Sequence, residues 1–387
     1  MQYKTILSAA VAVGIATAQS TTDLASLIAA NNLTALGGLL GSFSDITAAL
    51  AAQQNVTFFA PSNEAIAALN STGALATLAS QPDFVQALLD YHFVPGLYYA
   101  GNITTTPQFP HTNLNDTAFT NVTGGQAVEC TLDGTTVEIV SGLKSVSNVT
   151  VANLNYTGGV VHVIDRVLTL PPNVSTTGVD AGLTAFLGAA NAANLTDTLD
   201  TAPDLTIFAP TNAAFEAIGS GLANLSTADL TSILEYHVLN GTVAYSSLLS
   251  NTTVTTLAGG TLTVTIEDGA VFVNAARVVN ADILLSNGVL HVLDSVLNPN
   301  NTAVRNATAT GVATAYAGAT AVGTLALTSG FPAATATNAA LVATESNVAS
   351  GYAAATGGST TATSGAAATG VMGAAALFGG AVFLANL

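Results

Sequence analysis

Histidine is the first residue type to test for chemistry here, because imidazole titrates near neutrality and ligates metals. His92 follows Tyr91, His237 follows Tyr236, and His162 and His291 each sit inside an apolar run. A metal centre or nucleophilic triad would need a partner group at a fixed spacing. The chain supplies no His-Glu-x-x-His run, no Gly-x-Ser-x-Gly elbow and no Gly-rich phosphate loop. Glycoside hydrolysis asks for two carboxylates roughly 5–10 Å apart, often with stacking aromatics. The recurring acids Asp165 and Asp294 lie in apolar strand-like runs, and Trp is absent. The expectation is core imidazoles hydrogen-bonded within the fold, with no catalytic residue, no metal and no cofactor. Cys130 is the only cysteine, which rules out an intrachain disulfide and suggests a buried thiol, with an intermolecular bridge as the alternative.

The elements that position these residues come in two copies. Thr57 to Ile66, containing Phe59-Ala60-Pro61, recurs as Thr206 to Phe215, containing Phe208-Ala209-Pro210. Leu88 to Gly96 around Tyr91-His92 recurs as Ile233 to Gly241 around Tyr236-His237, and Gly159 to Leu168 recurs as Gly288 to Leu297. Three matched blocks in one order make a duplicated domain. The first block predicts strand, turn and helix, with Pro61 or Pro210 closing the strand and Ser62 or Thr211 as N-cap. The second ends a helix, which in copy two opens on a Ser226/Asp229 capping box, and passes into a strand. The third is apolar almost throughout, as suits a strand covered on both faces. Strand-like runs such as 135–140, 261–266 and 270–273, split by Asp133-Gly134 and Asp268-Gly269 turns, lie between the second and third blocks. Helical segments over 23–30 and 181–193 open the copies, so the expected class is α+β. Copy one is longer between its second and third blocks, with the surplus around 109–123 expected to form a surface loop.

Composition bounds the partners. The chain carries 22 acidic against five basic residues, a net charge of −17, which disfavours nucleic acid and anionic lipid headgroups. Only 7% of residues are charged, yet no interior stretch is long and apolar enough to span a bilayer. Sugar would supply the missing surface polarity, because fifteen Asn-x-Ser/Thr acceptors occur: Asn32, Asn55, Asn70, Asn102, Asn115, Asn121, Asn148, Asn155, Asn173, Asn194, Asn224, Asn240, Asn251, Asn300 and Asn306.

The two ends carry processing patterns. Lys4 followed by an apolar run to Ile15 and Ala16-Thr17-Ala18 predicts a signal peptide over 1–18. At the other end, small residues Gly357-Gly358-Ser359, a polar spacer and an apolar tail match a glycosylphosphatidylinositol signal over 359–387, with Gly357 or Gly358 as attachment residue. A short terminal transmembrane helix is the alternative. Residues 300–358, rich in Ala, Thr, Gly and Ser, are expected to be a disordered, O-glycosylated stalk.

The three repeated blocks resemble the fasciclin family. The Phe-Ala-Pro segments look like its first signature box, the Gly-Val-x-His-Val-x-Asp segments like its second, and the Tyr-His pairs like the motif between. The resemblance covers 20–171 and 177–299 and implies two tandem β-wedge domains, each of roughly seven strands flanked by helices. It further implies a non-enzymatic adhesive or wall-organising surface protein, most similar to fungal members because Pro332 is the sole stalk proline. Partners would then be surface, wall or matrix components, protein or glycan. In animal members an Asp-Ile pair and the Tyr-His motif are tied to integrin contact. This makes Asp282, Ile283, Tyr236, His237, Tyr91 and His92 partner-binding candidates, and Asn153-Leu154 of copy one lacks the acid. A purely structural wall glycoprotein, or a binder of an apolar or glycan ligand, are the competing readings.

Overall fold

The computed structural model describes residues 22–71, 81–222, 225–305, 315–323 and 327. The expected signal peptide, the attachment signal with Gly357 and Gly358, most of the expected stalk, and the acceptors Asn224 and Asn306 lie outside the described residues.

The first copy opens with helices α1 (Leu24–Ala30), α2 (Thr34–Ser42) and α3 (Ser44–Ala51). Asp23 caps α1 by accepting the Ser26 N–H at 2.7 Å. Strand β1 (Val56–Pro61) then leads into α4 (Asn63–Ser71), with Ser62 Oγ accepting the Ala65 N–H at 3.1 Å. Helix α5 (Pro82–His92) passes directly into β2 (Phe93–Pro95), and β3 (Glu129–Asp133), β4 (Thr136–Ser141), β5 (Ser145–Tyr156) and β6 (Gly159–Ile164) complete a six-stranded sheet. Its order is β2-β1-β6-β5-β4-β3, with β1 and β6 parallel at the centre.

The second copy repeats the plan. Helices α6 (Val174–Asp180), α7 (Thr184–Ala192) and α8 (Thr196–Thr201) precede β7 (Leu205–Pro210), α9 (Asn212–Ala217), α10 (Gly219–Leu222) and α11 (Thr227–Tyr236). Strands β8 (Val238–Leu239), β9 (Thr252–Thr255), β10 (Thr261–Glu267), β11 (Ala270–Val273), β12 (Ala276–Leu285) and β13 (Gly288–Leu293) follow. With β7 they form a seven-stranded sheet ordered β8-β7-β13-β12-β11-β10-β9. Both capping elements read from sequence are present: Thr211 Oγ1 accepts the Ala214 N–H, and Ser226 and Asp229 make a reciprocal box.

Alternation places each side chain of the central strands. Phe58 and Ala60 face the helical core with Val161 and Val163, while Phe59 turns to the opposite core with Tyr91, Ile139 and Ile164. The strands are therefore buried on both faces, which is why the third block reads as continuously apolar. Its leading glycine is obligatory. A Cβ at Gly159 or Gly288 would strike the carbonyl of Val56 or Leu205 on the parallel neighbour.

Three expectations need revision. The helix expected over 181–193 is α7, which starts only at Thr184, because residues 181–183 form the turn that ends α6: Gly182 takes φ 70, its N–H meets the Val179 carbonyl and the Leu183 N–H meets that of Gly178. Residues 315–323 and 327, placed in the expected stalk, lie against domain two, where Tyr316 donates to the Leu297 carbonyl and the Val322 N–H to that of Glu216. A few apolar side chains in a low-complexity stretch suffice to dock it. The surplus over 109–123 is not a free surface loop but the junction between domains.

Candidate functional site

Each Tyr-His pair closes the last turn of its helix. His92 donates from Nδ1 to the Leu88 carbonyl at 2.7 Å and accepts the Leu168 N–H on Nε2 at 3.0 Å. His237 does the same with Ile233 at 2.7 Å and Leu297 at 2.9 Å. Both nitrogens are engaged and both rings are buried, so burial holds each imidazole neutral, with its pKa lowered to about 4. Tyr91 and Tyr236 have no exposed surface, and their hydroxyls donate to the Ala127 and Thr261 carbonyls at 2.9 and 2.7 Å. The pairs staple helix end to sheet.

His162 and His291 point across the sheet, each placing Nε2 on a backbone carbonyl, Tyr98 at 2.8 Å and Ala244 at 2.9 Å. Asp165 and Asp294 accept the backbone N–H of Asn148 and Arg277 at 2.8 and 2.9 Å, joining neighbouring strands. None of these four side chains lines either of the two cavities described below. Among the described residues no cluster of three or more His, Cys, Asp or Glu is placed to hold a metal. Cys130 is fully buried, and burial pushes its thiol well above the usual range.

The Asp-Ile pair lies on a bulge of β12, where the register with β13 slips between Asn280 and Ile283. Asp282 takes φ 58 and is 3% exposed, and Ile283 is fully buried. The carboxylate accepts the Ser246 N–H at 2.7 Å, and the Asp282 N–H reaches His291 Nδ1 at 3.3 Å. As placed, the six residues singled out for partner contact hold the core or the junction and present no surface to a visitor.

Domain one packs against the strand that carries Asp282, with the 142–144 turn on β12 and the Glu129 carboxyl close enough to interact with that of Asp282. The 109–126 segment of domain one crosses to domain two, where Asn121 donates its N–H to the Ser286 carbonyl at 2.7 Å and its Nδ2 to that of Thr201 at 2.6 Å. Thr123 gives both N–H and hydroxyl to the Asp204 carboxylate at 2.7 and 2.6 Å. Buried Gln126 reaches the Leu285 carbonyl at 2.9 Å, and the Phe109 and Tyr245 rings stack at 4.3 Å and 5°. Leu143, at φ 57, enters the core of domain two, while Lys144 beside it pairs with Glu129 at 3.2 Å. Burial pushes the Glu129 carboxyl up, and the Lys144 ammonium offsets part of that. Sequence reasoning missed these residues. Their one signal was the surplus length of copy one.

Two cavities bear on ligand binding. An apolar one of about 30 Å³ in the helical core of domain one, beside Phe58 and His92, is roughly a tenth of the smallest usual ligand pocket. The larger, about 370 Å³, is an open polar hollow within residues 115–125.

The described acceptor asparagines share one property: none is buried. Asn121, Asn148 and Asn173 are half-buried and the others exposed, whereas Asn274, Asn280 and Asn287, which begin no Asn-x-Ser/Thr triplet, are buried.

Comparison with known proteins matches this architecture. A fasciclin domain model covers residues 31–171 and 181–299. The chain therefore belongs to the fasciclin family, as two tandem domains. It is 39% identical over 251 residues to a fasciclin-like arabinogalactan protein of Arthroderma benhamiae, covering 64% of this chain and 60% of that one. It is 32% identical over 258 residues to the fasciclin-like arabinogalactan protein CTB11 of Cercospora beticola, covering 64% and 69%. Human periostin is 34% identical over 151 residues, 38% of this chain and 18% of periostin. The solved FAS1 domain pair of the insect cell adhesion molecule fasciclin I aligns with 69% of this chain and 94% of its own at a TM-score of 0.33 and 19% identity.

Proposed function

We propose that the chain is a secreted, N-glycosylated, lipid-anchored adhesion or wall-organising protein whose domain pair acts through its outer surface and performs no catalysis. The partition of asparagines carries this reading, since no described acceptor is buried and the described asparagines that are buried are not acceptors. Family membership supports the adhesive or wall role. The apolar cavity in the helical core, about 30 Å³ against the roughly 300 Å³ or more of a ligand pocket, counts against a carrier of apolar ligands. The glycosylphosphatidylinositol anchor at Gly357 or Gly358 follows from sequence pattern, and two domains on one anchored chain favour weak multivalent contacts with surface or matrix components.

The test is display of the full chain on cells, treatment with phosphatidylinositol-specific phospholipase C, and scoring of released protein together with cell aggregation. Release with loss of aggregation is expected. Protein kept at the surface counts against the lipid anchor, and aggregation that survives complete release counts against the adhesive role.

A further inference from the structure

The duplication gives domain one its own copy of the face that domain one covers on domain two. Strand register fixes the equivalences. Asn155 pairs with Val160 as Leu284 pairs with Val289, and Asn55 precedes β1 as Asp204 precedes β7. Tyr99 and Tyr245 each precede a short helical turn, and Asn153 Oδ1 accepts the Ala100 N–H at 2.9 Å as Asp282 Oδ1 accepts that of Ser246. In domain two this face is closed: Leu284 is 1% exposed, Tyr245 stacks on Phe109, and Asp204 holds Thr123.

In domain one the same face is exposed and apolar. Leu97 and Val151, 42% and 45% exposed, are two of the five large apolar side chains so exposed among the described residues. The segment that closes this face on domain two, 109–126, is engaged within the chain and copy two lacks its surplus length, so a second copy would meet the open face of domain one with its own open face, across a two-fold axis. At the two positions where domain two makes its contacts through Asp204 and Leu284, domain one carries the glycan acceptors Asn55 and Asn155. They stand at the same end of the sheet, about two strand spacings or roughly 10 Å apart. Asn155 meets the Tyr99 hydroxyl through Oδ1 at 3.2 Å and donates to the Asn153 carbonyl at 3.3 Å, and a glycosylated amide keeps one N–H for that bond.

We propose that N-linked glycans on Asn55 and Asn155 cap this face and end the domain stack at domain one, and that without them the face takes a second copy of the chain. This rests on the reading of the chain as a secreted glycoprotein.

The test compares the chain released from the cell surface by phosphatidylinositol-specific phospholipase C with Asn55→Asp/Thr157→Ala released in the same way, which lacks both sugars. Aspartate suits the left-handed backbone of residue 55, as it does at Asp204 (φ 57 and 53), and residue 155 keeps its asparagine. A control, Asn32→Asp/Asn194→Asp, removes two exposed acceptors elsewhere. In sedimentation velocity the parent and the control stay monomeric, and the cap-less variant doubles its apparent mass in a concentration-dependent manner. Enzymatic deglycosylation of the folded parent gives the same result should the variant fail to fold. A monomeric sugar-free protein overturns the proposal. So does glycopeptide mapping that finds sugar at Asn32 and Asn194 with bare Asn55 and Asn155, whereas bare acceptors throughout overturn the glycoprotein reading as well.

Discussion

Asn153 and Asp282 occupy the same bulge of the two domains, at φ 61 and 58, and each side chain accepts one backbone N–H of the helical turn beneath it. One is exposed and the other is 3% exposed, with domain one packed against its strand. The bulge is a structural device of the fold, and burial rather than sequence decides what the side chain meets.

The stacked rings of Phe109 and Tyr245 provide a direct measure of the domain junction. A double-mutant cycle on Phe109→Ala and Tyr245→Ala, read by equilibrium unfolding, is expected to give a coupling energy of about 1 kcal/mol. Strictly additive losses would mean that the rings do not pack against each other in solution.

His92 and His237 make stability fall in mild acid. Their folded pKa values, lowered to about 4 by burial, lie below the unfolded value of 6.5, so the unfolded chain takes up protons first. Their contribution is whole above about pH 6.5 and is lost as pH falls toward about 4, on the order of 3 kcal/mol for each histidine. Denaturant titrations across that window check the slope. A flat profile would contradict neutral, buried rings.

Asp90 acts with the opposite sign. Half-buried near Asp116, its carboxyl is pushed up to about 6, chiefly by burial, so its charge weakens the fold above about pH 6 and no longer does so once pH has dropped below the ordinary aspartate value. Asp90→Asn is expected to raise the unfolding midpoint at about pH 8 and leave it nearly unchanged at about pH 4. Equal shifts at both would point to a neutral packing effect.

Much of the fold was legible in the sequence because local rules and tertiary needs agree there. Pro61 and Pro210 end strands, Ser62, Thr211 and Ser226 cap helices, and the apolar third blocks become central strands. Helix α7 starts three residues later than expected because the Ala-Gly-Leu run at 181–183 reads as part of the same stretch, and only the turn at Gly182 separates it from α6. The junction was legible only as surplus length in copy one. Phe109, Gln126 and Asp204 become partners across more than 80 residues of chain through surfaces that carry no period or motif. The Asp-Ile pair is buried for a reason equally invisible in sequence, since a short motif says nothing about what covers it.

The claim that adhesion runs over the outer surface, with Asp282 serving the fold, is tested most directly by Asp282→Asn. Domain one already uses asparagine in this bulge, so the variant keeps the acceptor for Ser246 and removes only the carboxylate charge. Aggregation of cells displaying the variant should match that of the parent at equal surface density. A loss of aggregation with the unfolding midpoint unchanged would contradict the account and make the Asp282 carboxylate a partner contact.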